Sequence, residues 1–107
     1  MSHAPAHLLT GLDLRYVLTT TLVEHGRTMT VDELSRSLLA SGFTLAGRPS
    51  KTISDSLRWE VRRGRVVRLG RGRYGAREMP KSTRHRLRER TRARRRAACA
   101  PTWQRSA

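Results

Sequence analysis

A chain of 107 residues has room for one small domain, and its 36% apolar residues, concentrated between Leu8 and Leu69, allow only a marginal core. No apolar run is long enough to span a bilayer, the opening M-S-H-A-P-A-H lacks the order of a secretory signal, and the single cysteine, Cys99, rules out an internal disulfide, so a soluble cytoplasmic protein is expected. The formal net charge of +15 points to a polyanionic partner.

The charge is unevenly placed. Residues 1–47 hold three arginines against four acids, a net of −1, while residues 48–107 hold twenty basic residues against four acids, a net of +16. Lys51 and Lys81 are the only lysines among the 23 basic residues. Arginine pairs bidentately with phosphate and with guanine edges, whereas lysine acts as a point charge. A GC-rich genome would produce the same excess through codon usage.

Residues 1–9 carry no periodic signal and read as a flexible N-terminus. From there, Leu14, Val17, Leu18, Thr21 and Leu22 fall at i, i+3, i+4, i+7 and i+8, which predicts an amphipathic helix over about Leu12–His25. Gly26 fits the position just past its end. Thr28-Met29-Thr30 is compatible with a short strand. Thr30 and Glu33 then form a capping-box pattern that opens a second helix, Val31–Ser41, with Val31, Leu34, Leu38 and Leu39 as its buried stripe. Asp32 and Glu33 suit the positive end of its dipole. Phe43–Arg48 is a connection in which Phe43 and Leu45 fold back on the core.

Pro49 starts a third helix, with Ser50 or Thr52 as its cap. At 100° per residue, Ile53, Leu57 and Val61 share one sector and are expected in the core. Lys51, Asp55, Arg58 and Arg62 fall opposite, with Thr52 and Trp59 at the margin. Trp59 is expected to be partly buried against the first helix or the following hairpin. Gly64 ends the helix. R-V-V-R-L, then G-R-G, then R-Y-G, reads as a hairpin covering Arg65–Gly75. Val66 or Val67, Leu69 and Tyr74 would cover the core edge, with Arg68, Arg71 and Arg73 projecting from the hairpin or its tip. The hairpin follows the third helix as the wing of a winged helix-turn-helix does.

Lys81–Arg96 has another character. It holds nine basic residues (Lys81, Arg84, Arg86, Arg88, Arg90, Arg92, Arg94, Arg95 and Arg96) and one acid, Glu89, and Leu87 is its one large aliphatic residue. Such a segment cannot bury itself, so it reads as a tail that is disordered alone and becomes helical on phosphate. Pro101 bounds it and Trp103 follows. The expected fold class is mainly α (α+β winged helix), with a three-helix core, a small β-hairpin wing and a disordered basic C-terminal tail. The corresponding division is a flexible N-terminus over 1–9, a winged helix-turn-helix domain over 10–78 and an arginine-rich tail over 79–107.

The stretch from about Val17 to Gly75 resembles the HARE-HTH family of winged helix-turn-helix domains. The resemblance rests on M-T-V-D-E-L at the second helix, S-K-T-I-S-D-S-L-R-W-E-V-R-R-G at the third, and R-V-V-R-L-G-R-G-R-Y-G at the hairpin. It implies a three-helix core with a hairpin and a role in DNA binding. Many members carry further modules, whereas here an arginine-rich segment follows instead.

No enzyme is legible. His3, His7, His25 and His85 are scattered without metal-ligand spacing, and Ser50, Ser54 and Ser56 have no neighbouring histidine as base. The G-R-G-R-Y-G glycines precede no helix, so they lack the context of a nucleotide loop. The expectation is a non-enzyme with no cofactor, metal or small-molecule ligand. It would bind double-stranded DNA as a transcription regulator or nucleoid-associated protein. The expected contacts are Lys51, Thr52, Asp55, Arg58 and Arg62 on the third helix, Arg68, Arg71 and Arg73 on the wing, and the nine basic residues of Lys81–Arg96. Two alternatives stand beside it: an RNA- or ribosome-associated protein acting through the tail, and a winged-helix module that binds an acidic protein.

Overall fold

The first helix cannot stand on the surface of this protein, because it is buried on nearly every side. The computed structural model describes residues 7–99. In chain order its elements are β1 (His7–Leu8), α1 (Gly11–His25), β2 (Met29–Thr30), α2 (Val31–Ala40), β3 (Phe43–Thr44), α3 (Pro49–Arg62), β4 (Val66–Gly70), β5 (Arg73–Ala76) and α4 (Lys81–Cys99). The class is mainly α and winged-helix-like. Three helices pack around one core, and β2, β5 and β4 form a small antiparallel sheet in that order.

Local sequence accounts for the element ends. The Glu33 amide donates to Thr30 Oγ1 (3.1 Å), and the Thr30 amide donates to Glu33 Oε1 (2.9 Å), a complete capping box at the start of α2. Gly26 closes α1 in the left-handed region (φ +64°) and donates its N–H to the Leu22 carbonyl. In the sheet, Met29 pairs with Tyr74 and Thr30 with Arg73. The Val31 amide donates to Gly72 O at the hairpin tip (3.0 Å), so the wing is tied to the start of α2.

The N-terminal expectation changes at its inner end. His7–Leu8 pairs in parallel with Phe43–Thr44, the Leu9 amide donates to Thr44 O (2.9 Å), and Leu9 is in the core. Ser41 lies just beyond α2 as its C-cap. Leu39 is 65% exposed, not part of the α2 stripe, because Leu34 and Leu38 already fill that face. Leu69 is also exposed, while Val66 and Tyr74 cover the core edge.

On α3 the inward residues are Ile53, Leu57 and Glu60, not Val61, which is 37% exposed. The phase is i, i+4, i+7 in place of the expected i, i+4, i+8. Glu60 is fully buried because it has partners on two other segments. Arg15 Nε of α1 donates to its Oε2 (3.0 Å), Thr19 Oγ1 lies 2.9 Å from its Oε1, and Arg65 Nε stands 3.3 Å from Oε1. Trp59 is therefore turned outward and is 53% exposed, contrary to the expected partial burial.

The largest departure is the basic tail. Lys81–Cys99 is not disordered but forms a helix, α4, packed on α1. Leu87 and Thr91 are buried, and Ala98 packs against the main core, so positions i, i+4 and i+11 make one continuous stripe. The Thr91 hydroxyl donates to the Tyr16 carbonyl (3.2 Å) and lies 3.0 Å from Thr20 Oγ1. Gly42 (φ +89°) lets the last turn approach, since a Cβ there would stand 3.3 Å from Ala98 O. Self-repulsion along the helix is relieved by α1. Arg90 Nε pairs with Asp13 Oδ1 at 2.8 Å, and Arg95 forks onto both Glu24 oxygens at 2.9 Å each. Residues 1–6 and 100–107, with Pro101 and Trp103, lie outside the described residues.

Two stability measurements follow. Glu60→Ala leaves Arg15 and Arg65 facing each other without a carboxylate, and urea denaturation is expected to record a loss of about 3–5 kcal/mol. Leu87→Ala is expected to lose about 2–5 kcal/mol by opening the α1–α4 seam. A loss below about 0.5 kcal/mol at Leu87 would mean that α4 does not dock in solution.

Candidate nucleic-acid interface

Pro49 at the first helical position presets the entry to α3, and neither Ser50 nor Thr52 caps it. Thr52 turns its hydroxyl back to the Ala46 carbonyl (2.7 Å) and latches the α2–α3 connection. With Glu60 inward, one side of α3 faces the wing. Ser50, Ser54, Arg58 and Val61 line a groove whose other wall is Arg68, Arg71, Gly72 and Tyr74, with Val31 at its end. A second depression continues past Arg71 between the starts of α2 and α3, along Thr30, Val31, Asp32, Ser35, Pro49 and Ser50. The groove is lined by two valines, three hydroxyl-bearing residues and three arginines. Arg71 stands where the two depressions meet.

The other expected contacts are distributed differently. Lys51 Nζ donates to Asp55 Oδ2 (2.9 Å), and an Arg58 nitrogen lies 3.9 Å from Oδ1. The Lys51 hydrogen bond, aided by the charges of Lys51 and Arg58, holds the Asp55 carboxyl below its usual range. Asp55 thus offsets Lys51 and leaves Arg58 as the better-placed cation. Arg62 stacks its guanidinium on the Trp59 ring at 5.4 Å, with Arg15 at 5.8 Å from the same ring. Arg73 lies in a separate recess with Arg27, Thr28 and Glu33. The structure therefore unites Arg58, Arg68 and Arg71 in one groove. Lys51, Asp55 and Arg62 stay on the outward side of α3.

Ser50, Ser54 and Val61 were not singled out as contacts by the sequence reasoning. The available signal was the i, i+4, i+8 spacing of Ser50, Ser54 and Arg58, small polar residues that leave room for a close approach.

The basic residues of α4 divide in two. Arg90, Arg94 and Arg95 reach the carboxylates of α1. Arg92 pairs within the helix with Glu89 (3.0 Å). Lys81, Arg84, Arg86, Arg88 and Arg96 are exposed and make no ion pair among the described residues. The described residues hold no cluster of three metal-ligating side chains and no helix long and apolar enough to cross a membrane. No family model matches the chain, and neither the curated proteins nor the solved structures contain a match to it.

The Arg95 hydrogen bond holds the Glu24 carboxyl below the ordinary glutamate value. Its contribution is fully present above about pH 4.3 and is lost as the pH falls through the lower folded value. Hydrogen exchange between pH 6 and pH 3 is expected to show α4 losing protection relative to α3 at the acid end. Glu24→Gln should lower α4 protection at pH 6 by the equivalent of about 0.2–1 kcal/mol and reduce the acid dependence.

Proposed function

We propose that the protein binds duplex DNA without catalysis, as a small transcription regulator or nucleoid-associated protein. The observation that carries this reading is the convergence of Arg58, Arg68 and Arg71 on the groove between α3 and the wing. Helix α3 enters the major groove, where Arg58 reaches a guanine edge or a phosphate, and Ser50 and Ser54 allow close approach. Arg68 and Arg71 hold the adjoining backbone or minor groove. The resemblance of Val17–Gly75 to HARE-HTH domains supports the same reading.

A second reading draws on Trp59. An exposed indole flanked by Arg15 and Arg62 is a platform on which an unpaired base stacks, as in single-stranded RNA recognition.

Fluorescence anisotropy with duplex DNA across a salt series distinguishes the two. If α3 and the wing neutralise about six phosphates, log K falls with log salt at a slope near −5. Arg58→Ala with Arg71→Ala is expected to weaken duplex binding by about 100-fold and reduce the slope by about two. A flat salt dependence overturns the DNA reading. A large loss of single-stranded RNA binding in Trp59→Ala, with duplex binding weak throughout, favours the second reading.

A further inference from the structure

Helices α3 and α4 pack on different sides of α1. At 100° per residue, the α1 residues that hold α4 (Asp13, Tyr16, Thr20 and Glu24) occupy one sector. Arg15 and Thr19, which hold Glu60 of α3, lie roughly 130° away around the same helix. The outward side of α3 in turn points away from α1. The cationic face of α3 and the exposed face of α4 therefore point in different directions, with α1 between the two helices. At about 8–10 Å per helix–helix contact, the two helix axes are roughly 15–20 Å apart. Two outward faces whose directions differ by roughly 130° do not both lie against one straight duplex.

The exposed face of α4 is predominantly cationic, with Glu89 its one acid. Arg88, Arg92 and Arg96 repeat at i, i+4 and i+8, a line of cations about 12 Å long. All three are exposed and none reaches an α1 carboxylate by an ion pair among the described residues; Arg92 pairs with Glu89 of its own helix at 3.0 Å. The large apolar side chain of the helix, Leu87, is buried against α1, which leaves no apolar stripe for a lipid surface or a protein partner. What the face offers is positive charge at helical spacing, and a phosphate backbone is its complement.

We infer that the outer face of α4 is a second duplex-binding surface, so that one chain holds two DNA segments, one at the α3–wing groove and one along α4. The inference rests on the DNA-binding reading of α3 and the wing. It gives the protein a bridging activity that a single reading head lacks.

The experiment uses the full chain with short duplexes of about 20 base pairs in excess. Native mass spectrometry reads stoichiometry, and an immobilised duplex tests capture of a second, fluorescent one. The expected result is one chain with two duplexes, and protein-dependent capture. Arg88→Ala, Arg92→Ala and Arg96→Ala together are expected to leave binding to a single duplex within about threefold and to reduce capture at least tenfold. Unchanged thermal unfolding of that variant excludes loss of the fold. A wild-type complex that stays at one duplex per chain overturns bridging while leaving the α3–wing reading intact. A complex of two chains with two duplexes, undiminished capture by the triple variant, or capture of duplex RNA but not DNA overturns it equally. If the wild-type chain binds no duplex at all, the DNA-binding reading itself falls, and bridging falls with it.

Discussion

A single buried carboxylate sets the geometry of this protein. Glu60 receives Arg15 from α1 and Arg65 from the turn into β4, with Thr19 beside them. The cluster carries one more positive than negative charge, and Arg15 Nη2 and Arg65 Nη1 are buried without a hydrogen-bond partner. Aromatic rings lie close to both arginines: Trp59 is 5.8 Å from Arg15 and Tyr16 is 5.6 Å from Arg65. A hydrophobic pair at this position could match its stability, because desolvating ions costs several kcal/mol. What the clasp supplies is orientation. It fixes the roll of α3, and that roll turns Arg58 and Val61 toward the wing and Trp59 toward solvent.

The second constraint is the polarity of α1. A helix with Leu14, Leu18 and Leu22 on one side and Tyr16, Thr20, Asp13 and Glu24 on the other reads as amphipathic. Its polar side is nevertheless covered, because α4 brings hydroxyl and guanidinium groups that match it. Thr91 meets Tyr16 and Thr20, Arg90 meets Asp13 and Arg95 meets Glu24. The inner half of the arginine excess is thus structural. On the outer side Arg92 has only Glu89 of its own helix as counter-charge, and Lys81, Arg84, Arg86, Arg88 and Arg96 make no ion pair among the described residues.

These two constraints separate affinity from orientation. The groove at α3 and the wing is shaped by packing, so on the proposed DNA reading it is the part that discriminates among sequences. The face of α4 is a row of charges on a scaffold, which on the same reading responds to phosphate density. The two faces point in different directions because α1 separates the helices that carry them.

By itself the sequence determined the elements with local causes. The capping box at Thr30 and Glu33, the glycine after α1, Pro49 at the head of α3 and the glycine-bearing hairpin are all set by neighbours in the chain. Hence α1, α2, α3 and the wing were legible to within a residue or two, and so were Arg58, Arg68 and Arg71 as projecting cations. Tertiary structure alone decided the roll of α3 and the fate of Lys81–Cys99. A glutamate beside a valine reads as exposed until Arg15, forty-five residues away, is known to face it. An arginine-rich segment with one leucine reads as unfoldable until Asp13 and Glu24 are known to lie alongside it. Both are long-range charge pairings, and hydrophobic periodicity has no means of recording them.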